Sequence, residues 1–311
     1  MPSRGEPKPT TGHRCGFVTL VGRPNVGKSS IVNALLGEKV SIVSERPQTT
    51  RNRVRCIDSS ERAQVIFVDT PGVYPARNEL GAFLLEEARL ALESIDLVLY
   101  VVEAGPFSPE PEEEKLLLLI GSLRTPSILV ANKADRLREG VPLQAVLKPY
   151  LDALEPLELI AVSAKTLYNI EFLRERIIEA LPEGPSLFPE DVLMDHTERF
   201  LAEELIREQV FRLTREEVPH GVAVQVETFK TPFEYPDRDK ALIQATVYVE
   251  RPSQKGILIG AGGKMLKEIG RLSRVALENQ LGCPVFLELW VKVLPEWRKS
   301  SRHLKRFGYG R

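Results

Sequence analysis

The sequence predicts two domains: an α/β domain with a mostly parallel, doubly wound sheet, and a smaller C-terminal α+β domain. In the first part of the chain, runs of Val, Ile and Leu alternate with helical patterns, which is typical of parallel strands covered on both faces. A segment with three prolines and a glycine then ends the alternation, and the order changes. We therefore expect a flexible leader at 1–13, the α/β domain at 14–182, a linker at 183–195 and the α+β domain at 196–311.

The expected elements follow from the hydrophobic periodicity of each segment. Continuous apolar runs predict buried strands in the first domain at 16–21, 64–69, 97–103, 127–132 and 157–162. Helical patterns are predicted in the same domain at 28–36, 80–92, 112–123, 143–154 and 170–181. The second domain is predicted to contain a helix at 197–214, strands at 222–229 and 241–250, a helix at 264–280 and a strand at 285–293.

Composition is that of an ordinary globular protein, with 43% hydrophobic and 27% charged residues. The longest apolar run falls far short of the ~18 residues needed to cross a membrane. The three cysteines are distant from one another and odd in number, so we expect reduced thiols and a cytoplasmic location. The net charge of −1 hides an asymmetry, because residues 255–311 carry twelve Lys or Arg against four Glu. Such a basic end indicates either a polyanion-binding surface or a solvated face.

A phosphate-binding motif follows the first predicted strand. The segment matches the pattern G-x-x-x-x-G-K-[ST] and opens a predicted helix, which is the context that the motif requires. Its backbone N–H groups and the helix N-terminus favour phosphate, the lysine reaches the β- and γ-phosphates, and the serine hydroxyl is a Mg²⁺ ligand. The predicted nucleotide-binding residues here are Gly22, Arg23, Pro24, Asn25, Val26, Gly27, Lys28, Ser29 and Ser30, with Lys28 as the catalytic residue.

A second motif ends the strand predicted at 64–69 and consists of Asp69, Thr70, Pro71 and Gly72. An aspartate at this place can hold the Mg²⁺ shell, and the glycine N–H can sense the γ-phosphate. The same four residues can also form an ordinary turn, but a phosphate loop about forty residues upstream favours the nucleotide role.

The base specificity is predicted from the segment that ends the strand at 127–132. Asn132, Lys133 and Asp135 belong to an N-K-x-D motif, in which the aspartate accepts hydrogen bonds from N1–H and the exocyclic amine of guanine. Adenine lacks this pair of donors and would leave the carboxylate unpaired, so GTP is expected rather than ATP. The segment Ser163, Ala164 and Lys165 follows the last strand and is expected to close over the base.

A switch segment is expected between the phosphate loop and Asp69, at Gln48, Thr49, Thr50 and Arg51. Thr50 is the preferred third Mg²⁺ ligand beside Ser29 and Asp69, with Thr49 as the alternative. A polar turn without a metal role is the competing interpretation.

The second domain contains a glycine-rich loop that opens a helix. Gly260, Ala261, Gly262 and Gly263 form a GXXG sequence followed by Lys264, the arrangement of a KH domain. Small residues let a nucleic-acid backbone approach, and flanking apolar residues such as Ile257 and Ile269 would line a groove for single-stranded bases. A tight glycine turn would explain the loop alone, but the basic charge and the element order favour RNA binding.

The basic C-terminal segment interleaves cations with three aromatic residues. Lys267, Arg302, Lys305 and Arg306 are predicted to contact phosphates together with Lys264, and the aromatic rings could stack on bases. The other interpretation is a solvated C-terminal helix whose aromatic rings pack on the domain, and the two are compatible.

Across residues 14–311 the chain resembles the Era family of bacterial GTPases. The motifs that carry the resemblance are CGFVTLVGRPNVGKSS, PQTTRNR, VDTPG, NKAD, SAK, the FPED linker, GILIGAGGKMLKEIG and LELWVKV. The resemblance implies a P-loop GTPase domain joined to a C-terminal KH domain of type II, with Mg²⁺ as cofactor. It also implies binding to the 3′ region of 16S rRNA, action in small (30S) subunit assembly, and peripheral association with the inner face of the membrane. We expect a monomer.

Two further expectations concern the chemistry. Val73 follows Gly72 where Ras-like GTPases place a glutamine that orients water, so slow intrinsic hydrolysis is expected. In related GTPases the asparagine at the position of Asn25 helps to bind K⁺, which would make K⁺ a second cofactor.

Two other functions fit parts of the sequence. The chain could be a GTPase acting in tRNA modification or translation, against which the KH-like loop argues. It could instead be an RNA-binding protein whose nucleotide domain is mainly structural, against which the intact Lys28, Ser29 and Asp69 argue.

Overall fold

The computed structural model describes residues 12–42, 50–72, 78–105, 109, 111–137, 140, 142–235 and 239–309. The chain divides into two compact units, with the main boundary between Asp195 and His196; of the described residues before it, 78–83 group with the second unit. The predicted switch residues Gln48 and Thr49, and also Val73, lie outside the described residues.

The first unit is built around a six-stranded sheet of order β2-β3-β1-β4-β5-β6. Its strands are β1 (Arg14–Val21), β2 (Val54–Ser59), β3 (Ala63–Asp69), β4 (Leu97–Glu103), β5 (Ser127–Asn132) and β6 (Glu158–Ala161). Five of them are parallel, as predicted, and β1, β3, β4 and β5 are almost entirely buried. β2 was not predicted, and it pairs antiparallel with β3 at the edge of the sheet.

Helices connect these strands. In the first part of the chain they are α1 (Lys28–Leu36), α2 (Glu79–Leu90), α3 (Pro111–Ser122), α4 (Leu143–Val146), α5 (Lys148–Leu154) and α6 (Ile170–Ala180). The prediction of one continuous helix over 143–154 was wrong, because it is divided at Leu147. Pro149 stands in the first turn of α5, where its missing N–H cannot continue the hydrogen-bond ladder of α4. In the described part of the chain, no helix is long and apolar enough to cross a membrane.

The connector at 183–195 lies along the first unit. The buried side chain of Gln64 accepts the N–H groups of Leu187 and Phe188 at 2.7 and 2.9 Å, and its amide donates to the Phe188 carbonyl at 2.8 Å. Further along, Asp195 donates its N–H to the Arg55 carbonyl on β2 at 3.1 Å. The proline-rich connector, which the structure describes throughout, forms no helix or strand that could pair its backbone groups, and these hydrogen bonds supply partners instead.

The second unit is an α+β domain with a three-stranded sheet of order β7-β8-β9. Its elements are α7 (Glu198–Leu213), β7 (Ala223–Lys230), β8 (Ala241–Val249), α8 (Pro252–Ile259), α9 (Lys264–Leu281), β9 (Val285–Val293) and α10 (Ser301–Arg306). β7 and β8 are antiparallel, whereas β8 and β9 are parallel with Ala241 opposite Val285. α8 was not predicted, since it is short and contains Gly256, a poor helix former.

The aromatic residues of the C-terminal segment form part of the core of this unit. Trp297 is fully buried and donates its indole N–H to the Gly221 carbonyl at 2.9 Å. Its ring makes an edge contact with Phe307 at 5.3 Å between centroids, and Tyr309 is also buried. The prediction that these rings stack on bases was therefore wrong, and the alternative of packing on the domain holds.

Candidate functional site

The phosphate loop connects β1 to α1. Gly27 caps the helix in a left-handed conformation, with φ of +97°, a value that L side chains rarely adopt. Lys28 is buried at the start of the helix, and its ammonium donates to the carbonyls of Gly22 and Arg23 at 3.1 and 2.9 Å. The loop thus holds a cation inside the ring of backbone groups that the motif is expected to offer to phosphate.

The three predicted Mg²⁺ ligands lie together. The Ser29 hydroxyl donates to Asp69 Oδ2 at 2.6 Å and lies 3.0 Å from Thr50 Oγ1. Asp69 is fully buried, and its other carboxylate oxygen, Oδ1, has no hydrogen-bond partner among the described residues. Two hydroxyls and a carboxylate form the oxygen-only set that Mg²⁺ prefers. The unpartnered oxygen gives a buried acceptor that a cation would satisfy, so these residues fit the metal.

Burial shifts the pKa values of the two charged groups at this site. Burial lowers the pKa of Lys28 to about 8, and the carboxylates of Asp69 and Glu113 oppose this shift. Burial raises the pKa of Asp69, which is opposed by the Ser29 hydrogen bond and by the Lys28 charge. The two groups therefore support each other's ionised forms.

The predicted base-binding residues lie at the ends of β5 and β6. Asn132 does not face solvent; its amide donates to the Val26 carbonyl at 2.8 Å and its Oδ1 accepts the Ala164 N–H at 3.1 Å. It therefore ties the phosphate loop to the Ser163–Lys165 segment. Asp135 is exposed, and its Oδ1 accepts the Ser163 hydroxyl at 2.7 Å. This hydrogen bond lowers the pKa of Asp135, so the carboxylate is ionised and can accept two donors from a base.

The remaining predicted residues fall around these contacts. Thr70 donates its hydroxyl to the Leu20 carbonyl at 2.6 Å, and Lys133 forms an ion pair with Glu103 at 2.7 Å. Arg51 is fully buried, whereas Lys165 is exposed. Pro24 contacts the backbone at Gly72, which leaves no room for a side chain there.

Sequence reasoning missed Glu113, a buried acid beside the phosphate loop. Its carboxylate accepts Arg23 Nε at 2.6 Å and the hydroxyls of Tyr100 and Tyr150 at 3.0 and 3.2 Å. Nothing in the local sequence distinguishes Glu113, because it is one of three consecutive glutamates at the start of a helix.

In the second unit, the GXXG loop lies between α8 and α9, as predicted for a KH domain. Ala261 and Gly262 are exposed, and Lys264 and Lys267 lie on the first turns of α9 beside them. Ile257 on α8 is 47% exposed and could line a groove. Ile269, predicted in the same role, is buried in the core instead.

The C-terminal cations differ in their environments. Arg302 and Lys305 on α10 are exposed. Arg306 donates to Gln225 Oε1 at 3.0 Å and to the Tyr248 hydroxyl at 2.7 Å, and its guanidinium lies 5.0 Å from the centre of the Tyr248 ring. These contacts anchor α10 on the sheet, so Arg306 has a structural role whether or not it contacts RNA.

Comparison with known families agrees with both halves of this description. Residues 17–133 match the family described as 50S ribosome-binding GTPase, and residues 217–298 match the KH domain family.

Similar proteins cover nearly the whole chain. GTPase Era of Carboxydothermus hydrogenoformans is 45% identical over 298 residues, which cover 96% of this chain and 98% of that protein. GTPase Era of Geobacter metallireducens is 46% identical over 296 residues, or 95% and 98% of the two chains. This chain belongs to the Era family of GTPases.

Solved structures of Era share the whole architecture. A single-residue variant of Aquifex aeolicus Era bound to GDP·AlF4− has a TM-score of 0.89 at 39% identity, covering 96% of this chain and all of that one. An Era in complex with MgGDPNP and nucleotides 1506–1542 of 16S ribosomal RNA has a TM-score of 0.87 at 40% identity, with the same coverage. The predicted fold class, a P-loop GTPase domain followed by a KH domain, is thereby confirmed, as is the assignment as a GTPase that hydrolyses GTP to GDP and phosphate.

Proposed function

We propose that this Era-family GTPase binds the 3′ region of 16S rRNA through its KH domain and acts in assembly of the 30S subunit, under control of its nucleotide state. The observation that carries the proposal is the likeness, over 96% of this chain, to an Era that holds MgGDPNP and nucleotides 1506–1542 of 16S rRNA. The exposed GXXG loop and the basic residues beside it supply the matching chemistry.

The nucleotide site is proposed from the residues that the fold brings together. The phosphate loop from Gly22 to Ser30 would surround the phosphates, and the segment from Asp69 to Gly72 would face the γ-phosphate. Asp135 would accept the two guanine donors, while Asn132, Lys133 and the segment Ser163–Lys165 position the base loops. Ser29, Thr50 and Asp69 would hold Mg²⁺, which neutralises charge on the β- and γ-phosphate oxygens when bound.

Lys28 is the catalytic residue in this proposal. Its ammonium is held by two backbone carbonyls and can move to the phosphates, whose negative charge grows on the leaving β-oxygens during hydrolysis. Since the residue after Gly72 is a valine, no glutamine at that position orients water, and we propose slow intrinsic hydrolysis. Asn25, in a left-handed conformation with φ of +66°, is the proposed K⁺ ligand.

The RNA site is proposed at the loop from Gly260 to Gly263, with Lys264 and Lys267 on the first turns of α9 and with Arg302, Lys305 and Arg306 as further cations. Since several cations share the phosphate contacts, affinity should fall with added salt, and no single lysine should dominate. We further propose a monomer in the cytoplasm with peripheral contact at the inner membrane face; the membrane contact is taken from the family resemblance.

An acidic side chain in the GXXG loop tests the RNA site. Ala261→Asp places a carboxylate where the RNA backbone would approach, and it avoids the positive φ of Gly262. Asn279→Asp is the matched control, because it adds the same carboxylate at an exposed position near the far end of α9, about 20 Å from the loop. That distance exceeds the Debye length of roughly 10 Å at 0.1 M salt.

The readout is binding to an RNA of nucleotides 1506–1542 at several salt concentrations, with GTP hydrolysis in the absence of RNA as a check on the first unit. Ala261→Asp should weaken binding at least about ten-fold, while Asn279→Asp binds like wild type. If a folded Ala261→Asp protein binds the RNA as tightly as the Asn279→Asp protein, the loop is not the RNA site. The cations of α10 would then be the next candidates.

A further inference from the structure

A buried carboxylate ties the phosphate loop to the core of the first unit. Glu113, on α3, is only 3% exposed, and three donors from three different elements converge on its two oxygens. Arg23 of the phosphate loop donates to Oε2 at 2.6 Å, Tyr100 of β4 donates to Oε1 at 3.0 Å, and Tyr150 of α5 donates to Oε2 at 3.2 Å. A buried charge that is fully hydrogen-bonded fixes its neighbours rigidly.

The two tyrosines fix the position of the carboxylate. Tyr100 and Tyr150 are 0% and 1% exposed and belong to one hydrophobic cluster, with ring centroids 5.9 Å apart. Their hydroxyls therefore cannot move without disturbing the packed core, and neither can the oxygens that they contact.

The ion pair between Glu113 and Arg23 fixes the side chain of the same loop residue whose carbonyl accepts Lys28. The Arg23 carbonyl accepts the Lys28 ammonium at 2.9 Å, while the Arg23 side chain is held by Glu113. One residue thus connects the buried carboxylate to the backbone group that receives Lys28. A loop shaped before the nucleotide arrives binds it more tightly, because less conformational freedom is lost on binding.

We propose that Glu113, oriented by Tyr100 and Tyr150, is a positioning residue that holds the phosphate loop in its nucleotide-binding shape through Arg23. This inference rests on the proposed nucleotide site. Glu113 contacts Arg23, Tyr100 and Tyr150, and it acts on the shape of the loop, so we expect its loss to weaken nucleotide binding without slowing the bound enzyme.

Glu113→Gln is the direct test, because it keeps the size of the side chain and removes its charge. We expect KM for GTP and Kd for GDP to rise together by roughly ten-fold, with kcat at saturating GTP within about two-fold of wild type. Arg23→Ala changes a less buried side chain and should give a similar rise. The double variant should bind nucleotide no more weakly than the single variants, because both substitutions remove the same Arg23–Glu113 interaction.

Asp58→Asn is the matched control. Asp58 forms a partly buried ion pair with Arg174 at 3.0 Å, in the same unit but between β2 and α6. Its loss should lower thermal stability and leave KM for GTP unchanged. The comparison separates the general effect of losing a buried ion pair from the specific effect of losing the Glu113–Arg23 pair.

The outcomes distinguish a failure of the nucleotide site from a failure of the positioning role of Glu113. If Lys28→Ala leaves GDP binding intact, the proposed nucleotide site itself is wrong. If Lys28→Ala abolishes binding but Glu113→Gln leaves KM within about two-fold of wild type, only the positioning role is refuted. Equal changes of KM in the Glu113→Gln and Asp58→Asn proteins, or additive losses in the Arg23→Ala double variant, would refute it as well.

Discussion

Substituting Gly27 by alanine tests how the phosphate loop and the base loops are joined. A Cβ atom at Gly27 would lie less than 3.0 Å from the amide nitrogen of Asn132, which is closer than real Cβ atoms come to a neighbour. Asn132 cannot simply move aside, because its amide bridges the Val26 carbonyl and the Ala164 N–H at 2.8 and 3.1 Å. The extra methyl group should therefore break the bridge between the two loops.

The magnitude follows from two terms. Alanine at φ of +97° costs about 1 kcal/mol in backbone strain. Losing two buried hydrogen bonds costs about 1 to 1.5 kcal/mol each. The loop must recover its shape to bind nucleotide, so the free energy of the two lost hydrogen bonds is subtracted from the free energy of GDP binding. This second term, about 2 to 3 kcal/mol, corresponds to a GDP affinity roughly 30- to 160-fold weaker.

Gly37→Ala is the matched control, at the opposite end of the same helix. Gly37 is also left-handed, with φ of +69°, but a Cβ there would meet nothing within 4 Å. Gly37→Ala should therefore carry the strain alone, lowering stability by about 1 kcal/mol and leaving GDP affinity unchanged.

The assay is titration with fluorescent GDP, with unfolding curves for both variants. If Gly27→Ala binds GDP within about three-fold of Gly37→Ala, the clash with Asn132 has no functional consequence and the reasoning fails. A double-mutant cycle with Asn132→Ser locates the cause, because the two losses should not add when both act on the same bridge.

Three further predictions concern other groups. Lys28→Ala should abolish nucleotide binding, since the phosphate charge loses the buried ammonium; fluorescent GDP bound within a few-fold of wild type would contradict this. Asp135→Asn should shift preference from guanine to xanthine nucleotides, because an amide can donate to the xanthine carbonyl; competition between GDP and XDP measures the ratio, and an unchanged ratio would remove Asp135 from the base site. Burial raises the pKa of Glu203 to about 7, while the carboxylate accepts the Val226 N–H at 2.8 Å. With a folded-state pKa above the ordinary value, the stability held by the protonated form is lost as pH rises through about 7. Glu203→Gln keeps the hydrogen-bond acceptor, so the free energy of unfolding should be unchanged at about pH 5 and higher than that of wild type by about 2 kcal/mol at about pH 8. Unfolding in urea is measured by the fluorescence of the chain's two tryptophans, both in the second unit. Equal stability of the two proteins at the higher pH would contradict the prediction.

The nucleotide motifs could be predicted because their function depends on short, contiguous segments. A phosphate loop needs glycines, a lysine and a serine within eight residues, and each of the other motifs follows directly after a strand. Since parallel strands end at the same edge of a sheet, the proximity of Ser29 and Asp69 needed no tertiary information. Thr50 differs, because it precedes β2, whose antiparallel pairing with β3 was not predicted. The structure places the Ser29 hydroxyl within hydrogen-bond distance of both Asp69 and Thr50.

The elements that were missed are those whose local signal is weak. β2 is short and carries charged residues, and it is a strand because it pairs with the edge of β3. α8 has eight residues with an internal glycine, and packing in the second unit stabilises it rather than its own propensity. In each case the partner that stabilises the element lies elsewhere in the chain.

The sequence by itself therefore determined the fold class, the nucleotide chemistry and the position of the GXXG loop. Tertiary structure alone decided which charged and aromatic residues are buried. The sequence around Glu113 is a run of acids on a helix, and only the fold brings it to Arg23, Tyr100 and Tyr150. Likewise, Trp297 could have faced RNA or the core; its ring packs against Phe307 in the core, where its indole N–H is satisfied by a backbone carbonyl 76 residues away. Such contacts join residues distant in sequence, so no local pattern specifies them.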